Sequence, residues 1–201
     1  MPGSSRGAAS ARGDGRGGVT QERDESIWVG GRPRLNGPIQ LAASDPAWPA
    51  LFEAQATRIR EALGATVVQL EHAGSTSVPG LSAKPIIDIV LAVPDSTDET
   101  AYVPPLEAAG YRLAIREPDW YEHRVLKGTE PSVNLHVFSA GSPEIERMLR
   151  FRDWLRANDD ERDLYEATKR ELAARTWAYV QDYADAKGEV VEGILARAAR
   201  T

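Results

Sequence analysis

The loop Gly74-Ser75-Thr76-Ser77-Val78-Pro79-Gly80 concentrates small residues, backbone N–H groups and three hydroxyls within seven positions. Together these can approach phosphate oxygens and hydrogen-bond them without steric obstruction. Tight turns recruit the same residue types for backbone freedom alone. Further along, Asp88 interrupts the apolar run Ile86-Ile87-Asp88-Ile89-Val90-Leu91. A charge on so apolar a strand is costly unless something compensates it. A Mg2+ ion, commonly held by one or two carboxylates together with substrate phosphates, would do so. So would a buried salt bridge to Lys84 or a nearby arginine. Asp88 is therefore both the candidate catalytic group and the candidate metal ligand.

Two of the three histidines flank this constellation. His72 enters the loop, and His136 lies in a strand-like segment, on one face with Asn134 and Phe138 by period-two alternation. Convergence of His72, His136 and Asp88 would suit a transition metal, or a general base beside an anion-binding loop. The plainer alternative is that both imidazoles bond to neighbouring backbone and orient the loop. His123, within Trp120-Tyr121-Glu122-His123-Arg124, is expected on a surface strand. Basic residues recur nearby, namely Lys84, Arg116, Arg124, Lys127, Arg152, Arg156 and Lys169. Arg152 and Arg156 sit one helical turn apart and could grip an anion together, or pair with Asp153, Asp159 and Glu161. Salt bridging is the stronger expectation for Arg156; Arg152 stays open between the two.

The elements that must position these groups follow from the pattern of apolar residues. Residues 1–26, rich in Gly, Ser, Arg and Asp, bury too little surface to offset the entropy of ordering, so a solvated tail is expected there. Its arginines, Arg6, Arg12 and Arg16, receive no catalytic role. One domain spanning 27–201 is expected, with order beginning near Pro38. Ser44-Asp45-Pro46 predicts the start of a helix that runs to Leu63 and stops at Gly64. Strands are predicted over Thr66–Glu71 and Ile86–Val93, the latter buried on both faces. A helix over Glu99–Ala109 then precedes strands over Tyr111–Arg116, Glu122–Leu126 and Val133–Phe138. Apolar residues three and four apart predict helices over Pro143–Ala157, Glu161–Tyr183 and Lys187–Ala199. Three such helices can cover one face of a sheet.

Composition excludes several chemistries. The 201 residues contain no cysteine, which removes disulfides, thiolate metal sites and a cysteine nucleophile. With 24 Lys plus Arg against 30 Asp plus Glu the net charge is −6, which offers no global attraction to nucleic acid. No apolar run is long enough to cross a bilayer and no signal-peptide core opens the chain. A cytoplasmic protein without nucleic-acid or membrane partners is expected; the oligomeric state is left open.

The run from His72 through Gly74, Ser75, Lys84 and Asp88 to Ile89 resembles the hallmark of the GrpB family, small proteins assigned to the nucleotidyltransferase superfamily of polymerase-β-like folds. The likeness continues through Gly110-Tyr111, Asn134 to Phe138, Phe151 to Arg156, Tyr165 with Lys169, and Tyr183 with Lys187. It covers about Ile39 to Ala199. The resemblance implies an α/β fold with a mixed sheet and C-terminal helices packed on it. In that superfamily a Gly-Ser pair holds a nucleoside triphosphate, and a strand bearing Asp, an apolar residue and a second acid binds magnesium. Gly74, Ser75 and Asp88 match that pattern. The second acid is replaced by Val90, and Asn134-Leu135-His136 supplies no third. Because Asp88 and Val90 share a face by alternation, the missing ligand is missing from the site itself.

These readings lead to one expectation and two alternatives. The expectation is a transferase-like enzyme whose Gly74, Ser75, Thr76 and Ser77 bind a phosphate-bearing or anionic small molecule, a nucleotide among the candidates. Lys84, Arg124 and Arg152 would neutralise its charge, and Asp88 would hold one Mg2+ or act as a base. The first alternative is a diverged enzyme using His72, Asp88 and His136 for acid–base chemistry; the second is a non-catalytic ligand-binding module.

Overall fold

The computed structural model describes residues 25–200. Most of the expected tail, with Arg6, Arg12 and Arg16, lies outside the described residues; its last two positions, Glu25 and Ser26, begin a 3-10 turn that ends at Ile27. Order therefore precedes Pro38. A short strand, β1 (Arg34–Gly37), comes first. Helix α1 (Trp48–Leu63) follows, with Pro49 in its first turn. It starts later than Ser44-Asp45-Pro46 predicts, because Asp45 uses its Oδ1 to accept the Ala47 N–H at 2.8 Å just ahead of the helix.

Strand β2 (Gln69–Ala73) and strand β3 (Ile87–Val93) flank the loop of interest. The helix expected over Glu99–Ala109 is divided into a 3-10 turn, Glu99–Ala101, and a short α2 (Val103–Ala108). Pro104 and Pro105 lack amide hydrogens, so they fit only the first turn of a new helix. Then come β4 (Arg112–Glu117), β5 (His123–Thr129) and β6 (Ser132–Ser139). These five strands form one mixed sheet in the order β2-β3-β6-β5-β4. Only β3 and β6 run parallel; the other neighbouring pairs are antiparallel.

Helix α3 (Pro143–Ala157) matches its expected bounds. The long helix expected over Glu161–Tyr183 does not form. It ends as α4 (Asp159–Ala173), gives way to strand β7 (Trp177–Tyr179), and resumes as α5 (Val180–Ala186) before α6 (Gly188–Ala198). Strand β7 pairs antiparallel with β1. The break lets Leu172, Ala173 and Tyr183 bury against Ile39, with Leu35, Leu41 and Trp177 packed on them. That gain is invisible to a periodicity that counts one segment at a time.

Alternation along β3 divides its side chains between two apolar layers. Ile87, Ile89, Leu91 and Val93 pack with α1 residues such as Phe52 and Ile59 in the main core. Val90 and Ala92 face the other way, against Ala73, Phe138 and Ile145 of α3. Asp88 shares that second face. Among the described residues, no helix is long and apolar enough to cross a membrane. Leu91, fully buried in the main core, supplies a stability test: Leu91→Ala is expected to cost about 2–5 kcal/mol in urea unfolding, the usual penalty for an apolar cavity.

Candidate functional site

Asp88 stands near the start of β3, in register with Ala73 on β2 and Asn134 on β6. Its side chain is 27% exposed. Oδ1 accepts a hydrogen bond from Asn134 Nδ2 at 2.7 Å. Asn134 Oδ1 in turn accepts from Lys127 Nζ at 2.5 Å. Burial works to raise the Asp88 pKa, but the His136 imidazole, the Asn134 amide and the Lys84 charge outweigh it and hold the carboxyl below its usual range. The group is ionised at neutral pH.

Gly74 presses on the other side of this carboxylate. A Cβ built there would overlap Asp88 Oδ2 and come within 2.9 Å of Asp88 Cβ and Cγ. Gly74 also has φ 64° and ψ −170°, a conformation open almost only to glycine. After it, Ser75–Ser77 forms a 3-10 turn. The hydroxyls of Thr76 and Ser77 are occupied inside the turn. Ser77 Oγ donates to Gly74 O at 2.6 Å, and Thr76 Oγ1 donates to Ile86 O at 3.3 Å. Ser75 is only partly buried, beside the Tyr165 phenol, which burial pushes up to about 12. Thr76 and Ser77 thus hold the shape of the turn, and the Ser75 side chain is hydrogen-bonded to Tyr165.

Four lysines feel the Asp88 charge: Lys84, Lys127, Lys169 and Lys187. Burial lowers the pKa of each, and Asp88 opposes that shift. Lys84 and Lys187 lie over the Tyr183 ring, 5.9 and 4.6 Å from its centroid. Lys169 is buried, donates to Ser82 O and sits 5.3 Å from the Tyr165 centroid. Burial and the neighbouring Lys187 bring its pKa down to about 7, against the pull of Glu166 and Asp88. Lys84 was expected at the site from sequence, and Lys127 and Lys169 were among the basic residues noted near it; Lys187 was visible only as the partner of Tyr183 in the family resemblance.

His136 meets Asp88 on the same face, with Nε2 3.7 Å from Oδ1. Its Nδ1 lies 3.1 Å from His123 Nε2, and His123 Nδ1 lies 2.7 Å from Glu117 Oε2. A carboxylate only accepts, so His123 carries its proton on Nδ1 and accepts from His136 Nδ1–H through Nε2. His136 Nε2 thus faces the Asp88 carboxylate. His123 is not the surface residue the sequence predicts: it is 4% exposed, its ring stacked on Phe138 with centroids 4.5 Å apart. Burial takes its pKa down to about 4 despite Glu117.

The other expected site residues lie elsewhere. His72 pairs in register with Ile89 and so occupies the opposite sheet face from Asp88 and His136. It stacks on Phe52 at 4.8 Å and bonds Thr76 Oγ1 through Nε2 at 3.0 Å. Burial lowers its pKa to about 4, against the pull of Asp88 and with help from Arg156 and Arg152. Arg124 is buried on the His72 face and pairs with Glu99 at 2.7 Å. Arg152 braces the β2 edge, donating from Nη1 to Glu71 Oε2 and to His72 O at 2.9 Å each, and from Nε to Asp153 at 2.7 Å. Arg156 reaches Asp153 as expected, and also donates to Ser77 O at 2.8 Å. A hollow of about 460 Å³ lined by Phe52, Glu71, His72, Arg152, Arg156 and Arg162 lies on this side, without Asp88.

The donor set does not fit a metal held by protein side chains alone. Val90 is fully buried in an apolar cluster, Asn134 is neutral, and one Asp88 oxygen already accepts a hydrogen bond. Among the described residues, no group of three or more His, Asp or Glu side chains converges as a metal site would require.

A mixed α/β domain with a lysine-rimmed carboxylate at the head of a parallel strand is the class that fold and site define. The chain belongs to the GrpB family, whose model, described as GrpB protein, matches residues 38–197. It is 58% identical over 182 residues to a UPF0157 protein of Halalkalibacterium halodurans, covering 90% of this chain and 93% of that one. The crystal structure of conserved protein GrpB from Enterococcus faecalis superposes with a TM-score of 0.71 at 29% identity, covering 80% of this chain and 98% of that chain. Part of a dephospho-CoA kinase of Mycolicibacterium paratuberculosis is 32% identical over 176 residues, covering 75% of this chain but only 43% of the kinase.

Two outcomes test this geometry. Gly74→Ala forces a Cβ into Asp88 and a strained φ, so a loss of roughly 1–3 kcal/mol in thermal unfolding is expected, the usual scale of such strain. His72 and His123 have folded pKa values of about 4, against about 6.5 in the unfolded chain. The unfolded state then binds more protons, so their contribution is complete above about pH 6.5 and drains as pH falls towards 4. Melting temperature measured across that window should fall, and His72→Gln should flatten the fall.

Proposed function

We propose that this chain is a small-molecule enzyme of nucleotidyltransferase-like ancestry that binds a phosphate-bearing or otherwise anionic substrate beside Asp88, with Gly74 and Ser75 forming one wall. The observation that carries this reading is an ionised carboxylate on an apolar strand, which Lys127 reaches through Asn134 and whose charge Lys84, Lys169 and Lys187 also feel. Such a set concentrates positive charge in a chain whose net charge is −6. Anions are thus drawn to one locality.

Asp88 serves as the general base in this reading, because it is ionised and Asn134 fixes its orientation. His136 takes up the abstracted proton at Nε2 or returns it to a leaving group, its tautomer fixed by His123 and Glu117. In this reading the acid–base pair is Asp88 with His136, and His72, on the opposite sheet face, supports the loop. No step runs through magnesium. Phosphate esters, nucleoside triphosphates and magnesium remain the natural probes.

A panel of sugar phosphates and nucleotides, each with and without magnesium, tests the proposal by thermal shift. A ligand at a hundred times its Kd should stabilise the fold by about 2.7 kcal/mol, a rise of several degrees. Asp88→Asn should keep binding but reduce turnover of the identified substrate by about a hundredfold or more, the scale of a lost general base. A flat response across the panel would overturn the proposal.

A further inference from the structure

We infer that the anion held beside Asp88 is a phosphate monoester dianion, gripped by ammonium groups without a divalent cation. The inference rests on the reading of this cleft as an anion site and names its ligand class. The first support is the closure of Asp88 to a metal. Its Oδ1 accepts from Asn134 Nδ2 at 2.7 Å, and its Oδ2 faces Gly74 so closely that a Cβ there would overlap it. The neighbouring positions that would supply further carboxylates carry Val90, packed among Ala73, Ala92 and Phe138, and Asn134. Asn134 turns its amide oxygen to Lys127 Nζ at 2.5 Å. A cation of the protein's own already stands where a third metal-binding carboxylate would point. A divalent ion entering here would meet like charges in a partly buried setting, where repulsion is poorly screened.

The charge balance selects the ligand. Lys84 and Lys187 converge over one ring, that of Tyr183, and Lys127 reaches Asp88 through Asn134. All three are only partly buried as residues. Set against the single charge of Asp88, the lysines leave a positive surplus. Asp185, exposed on α5, tempers Lys187 from the solvent side. Lys169 sits deeper, donates to Ser82 O and acts as the floor of the cluster. A phosphate monoester carries about −1.5 to −2 charge at neutral pH, so it answers more of that surplus than a singly charged anion would. An ammonium group suits such a ligand because it is a compact point charge with three donors and imposes no coordination geometry.

Isothermal titration of the full chain with inorganic phosphate and with a nucleoside 5′-monophosphate, in EDTA and again in magnesium chloride, decides the matter. Saturable binding in EDTA is expected, with an affinity that magnesium leaves unchanged within about twofold and that added salt weakens. Lys84→Gln and Lys127→Gln should each weaken binding by about tenfold or more, the scale of a lost charged hydrogen bond. Circular dichroism checks that each variant is folded. Binding only in magnesium, or unaltered affinity in both folded variants, overturns the inference while leaving the anion site standing. Silence from every probe in both media removes the anion site and the inference together.

Discussion

The Asp88 carboxylate constrains the structure around it, because it lies on a strand whose other side chains are buried in two apolar layers. Its charge must be answered within a few ångströms, and each neighbour contributes. The strand on one side is followed by Gly74, small enough to let the carboxylate pass; the strand on the other supplies Asn134. The requirement then spreads outward. Gly74 takes up φ 64°, the chain tightens into the 3-10 turn, and Thr76 and Ser77 fix that turn with their own hydroxyls. Helices α4 to α6 must next approach near enough for Lys169 and Lys187 to feel the same charge. Tyr165 and Tyr183 supply aromatic faces for those ammonium groups while closing the core beneath them.

Alternation along the strands explains which polar groups meet and which do not. Asp88, Asn134, His136, Lys127 and His123 all project from the face that α3 partly covers, because their register positions are linked across β3, β6 and β5. His72 and Arg124 project from the other face, where α1 and Glu99 receive them. One residue of displacement on β2 therefore separates a catalytic candidate from a supporting one. The support is physical: His72 links α1 to the turn through Phe52 and Thr76, and Arg152 holds the His72 carbonyl at the sheet edge.

Much of this was legible in the sequence, and the remainder was hidden for definable reasons. The apolar run from Ile86 to Val93 predicted a strand buried on both faces, which forms over Ile87–Val93, and alternation alone placed Val90 on the face of Asp88. Helix α3 was legible because Pro143 opens it and its apolar spacing is uninterrupted. The break after Ala173 was not, since it depends on pairing between β7 and β1, more than a hundred residues apart in sequence. His123 looked exposed because its flanking residues Trp120, Tyr121 and Glu122 are exposed; its burial comes from His136 and Phe138 on a neighbouring strand. The lysine cluster draws on four separate segments, so no local spacing could announce it.

The replacement of a second acid by Val90 acquires a meaning from these contacts. A carboxylate at position 90 would point at His136 and into the cluster of Ala73, Ala92 and Phe138, where apolar packing now excludes water. A second charge there would need a metal to hold it, and the metal would need the lysines to retreat. Valine removes that demand. With it, one carboxylate is answered by ammonium groups that the fold itself carries, and the His136 imidazole stands 3.7 Å from it. Asn134 fits the same logic, since its amide both donates to Asp88 and accepts from Lys127, a bridging role that a carboxylate, acceptor on both oxygens, could not perform. The residues that appear as losses against a two-metal pattern are those that make a metal-free arrangement of charge self-consistent.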